Sequence, residues 1–315
     1  MRILLTGATS FTGLWFAQKL RAHGHEVVAT LRGSRNSYEG PRGHRVRMLD
    51  ESGVEWVECC SFGDERFLAL LASEPLDVIC HHAAQVGDYR SLDFDIAQAL
   101  QANTLGARRV FELMAQRGIR AMVATGSVFE PGEGAGSDPG RAFSPYGLSK
   151  GLSWEVLRHW GTLSGVPLHK FIIANPFGPW EEPRFCAYLM RTWAAGGTAT
   201  VATPSYVRDN IHVSLLADCY ADFVARCTQQ QGTQTRCAPA GYVESQGSFA
   251  QRFAKEISVR LNIAAPLELA MQAEFPEPFM RTNTDRVDAQ RLGWNEAAAW
   301  DMLADYYGTT YLAAR

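Results

Sequence analysis

The first 24 residues hold the feature that most limits how this chain can fold. Residues 1–7, MRILLTG, form an unbroken apolar run that stops at glycine, and residues 6–13 read TGATSFTG. An apolar run without alternation suits a strand buried on both faces of a parallel sheet. Residues 11–23 then place Leu14, Ala17 and Leu20 at helical spacing, and Gly24 supplies a left-handed stop. Parallel strands need crossovers of this kind, and the alternation continues along the chain. Further strands are expected at 25–32, 53–60, 77–84, 119–127 and 167–179, with helical patterns at 64–73, 94–117 and 147–164. The expectation is an α/β fold built on a doubly wound parallel sheet with right-handed crossovers.

The bulk numbers exclude several classes. A chain of 315 residues, 46% hydrophobic and 20% charged, can bury one large core or a core plus a smaller lobe. Its net charge of −3 offers no basic field, so no nucleic-acid partner is expected. It holds no 18-residue apolar run, so no membrane partner is expected either. The short apolar start has no long h-region or cleavage site. Seven cysteines, at 59, 60, 80, 186, 219, 227 and 237, form no CxxC pair. They read as reduced, mostly buried thiols in a cytoplasmic protein, with no metal site.

The loop from Gly7 to Gly13 sets up the first functional reading. The first glycine permits a tight turn and the last lets helix and strand approach closely. The helix start aims free N–H groups at an anion, here the pyrophosphate of a dinucleotide. Gly7, Thr9, Ser10, Phe11, Thr12 and Gly13 are therefore candidate cofactor residues. Ser10 stands where a third glycine is usual, and its hydroxyl can cap the helix or donate to a phosphate oxygen. The end of the second strand selects the dinucleotide. An acid there would hold the ribose of NAD, but this chain has Arg32, Ser34 and Arg35. A guanidinium suits a phosphate, so NADP(H) is expected, with NAD(H) the alternative. Arg42, Arg45 and Arg47 extend the basic stretch, read either as a solvated loop or as a phosphate site.

Residues 144–150, SPYGLSK, carry Tyr146 and Lys150 four apart, on one face of a helix. An ammonium beside a phenol favours the phenolate, which makes Tyr146 a candidate general acid and base for an alcohol. Thr125 ends a buried strand at the edge where such sheets bind ligands, and would hydrogen-bond the same substrate oxygen. Ser127 is either a second donor or a loop cap. The composition turns richer in turn residues after about 180. The expected division is a dinucleotide-binding domain at 1–179 and a mainly substrate-binding lobe at 180–315, with segments at about 205–240 returning to the main sheet.

TGATSFTG, HHAA at 81–84, Asn103 in QANTLGA, ATGSVFE, YGLSK, NPFGP, VRDNIHV and RVDAQRLGW occur in the order found in extended short-chain dehydrogenases/reductases, which this chain resembles over nearly its whole length. These are Rossmann-fold, NAD(P)-dependent epimerases, dehydratases and reductases of nucleotide sugars. The resemblance implies a Thr125–Tyr146–Lys150 triad, with Lys150 also touching the nicotinamide ribose. It adds His82, Ala83, Ala84 and Asn103 to the cofactor site, and assigns Asn175 and Arg208 to the sugar nucleotide's diphosphate. An ion pair with Asp209 is the alternative for Arg208. It also implies a homodimer through the helices around 94–117 and 147–164. Ser61 stands where the family usually has an aspartate for adenine, so that contact would rest on Ser61 and the backbone near Phe62.

The family's dehydratases follow the threonine with two acids, whereas here Gly126 and Ser127 follow Thr125. Dehydration is therefore set aside. The arginines at the ribose edge favour exchange with an NADPH pool, so the expected activity is an NADPH-dependent 4-keto reductase of a nucleotide-linked deoxysugar. A 4-epimerase with retained coenzyme is the alternative, and a non-catalytic nucleotide sensor is an alternative of another class. His81 and His82 read as packing and backbone-bonding residues rather than metal ligands. Trp180, Glu181, Glu182 and Arg184 line the sugar pocket or form a surface turn, and His212 is an orienting residue rather than a base.

Overall fold

A computed structural model describes residues 1–136, 140–229, 234–272, 274–275 and 277–312. The chain divides into two compact units. The first holds Met1–Glu133, Pro139–Ile173 and Ala217–Ala238, and the second Gly134–Asp138, Ala174–Leu216 and Pro239–Arg315.

In the first unit, β1 (Arg2–Thr6), α1 (Phe11–Ala22), β2 (Glu26–Thr30), α2 (Gly40–Glu51), β3 (Glu55–Val57), α3 (Glu65–Ser73), β4 (Val78–His81), α4 (Ile96–Thr104), α5 (Ala107–Arg117), β5 (Ala121–Ser127) and α6 (Pro145–Ser164) follow one another. Strands Leu168–Ile173 and Arg236–Cys237 complete a seven-stranded sheet. Its order is Arg236–Cys237, Leu168–Ile173, β5, β4, β1, β2, β3, and every pair is parallel. The winding reverses between β1 and β4, and ligands of such sheets bind at the carboxyl ends there. Register puts Thr6 opposite His81, and His81 opposite Ala124, at that edge.

Both sheet faces are dry, as unalternated apolar strands require. Leu4, Val28, Ile79 and Met122 pack with Phe67, Phe111, Met114 and Leu157. On the other face Phe16 of α1 stacks on Tyr220 at 3.9 Å and meets Phe171 edge-on at 5.9 Å. Each such ring or branched chain contributes about 1.5–3 kcal/mol by burial.

The structure corrects several expectations. The helical pattern at 94–117 breaks into α4 and α5, because Gly106 takes φ +58°. A Cβ there would lie 2.4 Å from the Gly63 carbonyl oxygen, so two backbones touch at this point. The basic stretch after β2 is no solvated loop but the helix α2, whose Arg45, Val46 and Leu49 are buried. The expected strand 167–179 is two: Leu168–Ile173 in the main sheet and Asn175–Phe177 beside Val207–His212 in another. The boundary accordingly falls at 173–174 rather than 179. Among the described residues of 205–240 only Arg236–Cys237 joins the main sheet, while Val207–His212 belongs to the second unit.

That unit's sheet runs Tyr242–Ser245, Val207–His212, Met280–Thr282, Ala135–Gly136. A ribbon of Ala199–Val201 and Leu267–Leu269 stands apart from it. Phe177, Trp193, Phe249, Phe253, Trp300 and Tyr307 form its core. No helix among the described residues is long and apolar enough to cross a membrane.

Candidate cofactor and catalytic site

The turn after β1 is closed by contact on two sides. Gly7 has φ +76°, and a Cβ there would sit 2.8 Å from the Ala83 nitrogen. A Cβ on Gly13 would sit 2.2 Å from the Gly7 carbonyl oxygen. Ser10 caps α1, its Oγ accepting from the Gly13 N–H at 3.0 Å, an interaction of about 1 kcal/mol. That leaves the N–H groups of Phe11 and Thr12 at the open helix end, where an anion is favoured. From below, buried Arg45 donates to the Thr9 carbonyl at 3.2 Å. Two glycines that admit no side chain and a bare helix start fit a pyrophosphate.

β4 ends in two histidines with different tasks. His81 stacks on Phe62 at 3.9 Å. Its Nε2–H donates to the Asn103 carbonyl at 3.2 Å, so Nδ1 accepts from the Thr6 hydroxyl at 3.1 Å. Thr6 in turn accepts from the Ala83 N–H, and the Asn103 amide oxygen from the Gln85 N–H. A neutral ring satisfies this chain with Thr6 donating, and burial pushes the His81 pKa down to about 3. His82 joins three hydroxyls: Nε2 lies 3.0 Å from Ser10 Oγ and 3.0 Å from Thr12 Oγ1, and Nδ1 lies 3.0 Å from Thr125 Oγ1. The ring therefore links the phosphate loop to the threonine. With the proton on Nδ1, Thr125 accepts from the ring and keeps its own proton to donate. With the proton on Nε2, Thr125 donates to the ring. The packing role expected of His82 is thus incomplete. No metal-ligand cluster exists among the described residues.

α6 begins at Ser144, whose Oγ accepts from the Gly147 N–H, with Pro145 at the first helical position. Tyr146 and Lys150 follow on consecutive turns. Tyr146 lies among the rings of Tyr89, Phe94 and Phe129, at 6.1, 5.9 and 6.3 Å. The Lys150 ammonium donates to the Thr125 carbonyl at 2.6 Å. Burial holds the Lys150 pKa below the usual lysine value, with Glu130 acting to raise it and Lys170 to lower it. Ser127 serves its own loop, its Oγ accepting from the Phe129 N–H.

The ribose edge is looser. Arg32 makes one long bond, 3.4 Å to Gln85. Arg35 is drawn away, its guanidinium paired with Asp50 at 3.1 Å and its N–H donated to Glu58. Ser34 starts a single 3-10 turn without capping it. The Ser61 N–H goes to Asp64, which also caps α3, and the Phe62 side chain is buried, leaving backbone for adenine. Ala84 is partly exposed just beyond β4.

The three remaining substrate candidates belong to the second unit. Asn175 donates to the Asp209 carbonyl. Arg184 is the residue before the helix Phe185–Ala194. Arg208 pairs with Glu277 at 3.0 Å and lies over Tyr206, while Asp209 accepts from the Gly241 and Asn283 N–H groups. The Arg208–Asp209 pair, the alternative reading of Arg208, is therefore not formed. His212 is buried, its Nδ1 2.7 Å from Ser214 Oγ.

Sequence reasoning missed Glu130 and Lys170, and it named Arg45 only as part of a basic stretch, not as the buried donor beneath the turn. Glu130 and Lys170 meet only through the fold.

A doubly wound sheet with a closed glycine turn at its first strand end, and a helical lysine whose ammonium meets a carbonyl near the end of the fifth strand, defines a dinucleotide-binding α/β protein. The sequence profile of the NAD dependent epimerase/dehydratase family matches residues 3–234. The chain belongs to that family. It is 28% identical to a UDP-glucose 4-epimerase of Mycolicibacterium smegmatis, over 70% of this chain and 72% of that one. In fold it resembles the UDP-glucose 4-epimerase of Thermus thermophilus solved with NAD, at TM-score 0.68 and 19% identity, covering 98% and 100% of the two chains. It also resembles the UDP-glucuronic acid 4-epimerase of Bacillus cereus, solved with UDP-glucuronic acid and NAD, at TM-score 0.73 and 17% identity, covering 99% and 100%.

Proposed function

We propose that this chain is a nucleotide-sugar 4-epimerase, acting on a UDP-hexose with a retained nicotinamide dinucleotide. The observation that carries the reading is the Lys150 ammonium on the Thr125 carbonyl, with Tyr146 one turn earlier on the same helix. The dinucleotide, held by the Gly7–Gly13 loop, supplies a hydride acceptor and donor. Tyr146 takes the proton of the sugar's 4-hydroxyl and returns it. Lys150 stabilises the phenolate and holds the nicotinamide ribose. Thr125, oriented by His82, hydrogen-bonds the reacting oxygen. Asn175, Arg184 and Arg208 hold the diphosphate and sugar. Dehydration is disfavoured in this reading, since Gly126 and Ser127 follow Thr125 and the buried carboxylate close to them, Glu130, is committed to Lys170 and the Ser127 N–H.

The reading inverts the order expected from sequence, for one reason. A reductase drawing on NADPH needs a phosphate fork at the ribose edge, and Arg35 is tied to Asp50. Arg32, with no carboxylate partner among the described residues, favours the second reading, an NADPH-dependent 4-keto reductase. One assay separates them. Interconversion of UDP-glucose and UDP-galactose with no net change in coenzyme supports the epimerase. Stoichiometric NADPH loss with a 4-keto sugar overturns it in favour of the reductase. The enzyme is a homodimer in this proposal, paired through α4, α5 and α6, where Leu148 and Leu152 are exposed one turn apart. A monomeric mass in solution contradicts that part.

A further inference from the structure

On the wall of the cavity that Lys150 lines lies a buried lysine with two buried carboxylates. Lys170, on the strand beside β5, pairs with Glu130 at 2.6 Å and Glu133 at 2.7 Å, and is 5% exposed. Glu133 continues to Arg236 at 2.9 Å. Glu130, wholly buried, also accepts the Ser127 N–H at 2.8 Å through its other oxygen. The Lys170 ammonium lies 4.8 Å from the Trp154 ring, on the α6 turn after Lys150. Lys150, Lys170, Glu130 and Trp154 all line one cavity of about 20 Å³, room for a single water.

We infer that the Glu130–Lys170 pair is a positioning element for Lys150, two opposite buried charges on the wall of the cavity that Lys150 also lines, Glu130 favouring the ammonium and Lys170 opposing it. The physics is a contest of signs in a largely enclosed site. Burial removes much of the hydration of Lys150, so nearby charges act on it at reduced effective dielectric. Glu130 stabilises its charge and Lys170 opposes it. Of the other groups, His81 and His82 on β4 are kept uncharged by burial and Asn103 of α4 is an amide, while Tyr146 of α6 carries charge only as the phenolate of the proposed reaction. Glu133 and Arg236 balance each other behind Lys170. A pair kept only for stability is a poor explanation, since an apolar pair of similar size does that task as well or better. The inference rests on Lys150 being the lysine of the proposed reaction, and its test does not.

The chain holds four lysines, Lys19, Lys150, Lys170 and Lys255. Lysine labelled with carbon-13 at Cε therefore gives four NMR signals in the intact protein, each assignable by one Lys→Arg variant. The Lys150 signal is titrated in the wild type, Glu130→Gln and Lys170→Met. The expected result is a midpoint lowered by about one pH unit in Glu130→Gln and raised by about one in Lys170→Met. Should Lys170→Met fail to fold, Lys170→Met/Glu133→Gln keeps the cluster neutral and is expected to raise the midpoint as well. Shifts in the same direction, or none above 0.3 of a unit, overturn the inference. The pH profile of kcat is expected to move with the Lys150 midpoint. Opposite NMR shifts in a protein without turnover leave the positioning role standing and remove the enzymatic reading. Turnover with an unmoved Lys150 midpoint does the reverse.

Discussion

The segments after β1 and after β2 leave the same edge of the same sheet, and they are built differently. After β1 most positions are fixed by a named contact. Gly7 and Gly13 admit no side chain, Ser10 caps the helix, Arg45 holds the Thr9 carbonyl, and His82 holds Ser10 and Thr12. After β2, Arg32 has one long contact, and Arg35 faces Asp50 instead of the ribose edge. The contrast teaches that the turn proposed to hold the phosphates is determined by packing, whereas in this proposal the choice between NAD and NADP rests on one exposed side chain.

Four variants can break or sharpen this contrast. The largest effect is expected from Gly13→Val, whose Cβ would overlap the Gly7 carbonyl. Coenzyme affinity by calorimetry should fall at least about 100-fold, or about 2.7 kcal/mol. Retained affinity would show the turn to be slack.

Next comes acid sensitivity. His81 has a folded pKa of about 3 against an unfolded 6.5. The unfolded chain binds the proton first, so this stability is complete above pH 6.5 and is lost as pH falls toward 3. Urea unfolding below pH 6.5 should lose up to about 1.4 kcal/mol per pH unit through this residue. His81→Gln should be less stable near neutral pH but flatter by that slope. An unchanged slope means that the neutral ring is not required.

His82→Leu keeps the volume and cuts the link between the phosphate loop and Thr125. We expect about a tenfold lower kcat, or about 1.4 kcal/mol, with a thermal midpoint within a few degrees of the wild type. Unaltered kcat would make His82 a packing residue only. The smallest effect belongs to the loose side. Arg32→Ala should lower the preference for NADP over NAD by roughly fivefold, or about 1 kcal/mol, and leave NAD affinity unchanged. A large loss of both coenzymes would mean that the segment is as fixed as the turn after β1.

The same contrast explains what the sequence could reveal. Gly7, Gly13, Ser10 and the Tyr146–Lys150 spacing are local features, and local geometry decides them. The parallel sheet followed from apolar runs that do not alternate. Other features depend on contacts between distant residues. Gly106 reads as an ordinary helical position until Gly63 meets it. Residues 167–179 look like one strand because both halves are apolar, yet Asn175–Phe177 pairs with Val207–His212. Arg35 looks like a phosphate ligand until Asp50 of α2 claims it. Glu130 and Lys170, 40 residues apart in sequence, show nothing until the fold brings them together.

The central claim is that Tyr146 moves the proton while a separate loop holds the coenzyme. Tyr146→Phe tests it most directly, with turnover of UDP-glucose and coenzyme binding measured on the same preparation. The account predicts turnover reduced by at least about 100-fold, the usual range for losing a general acid or base, and coenzyme affinity within about twofold of the wild type. Turnover retained in Tyr146→Phe would contradict it.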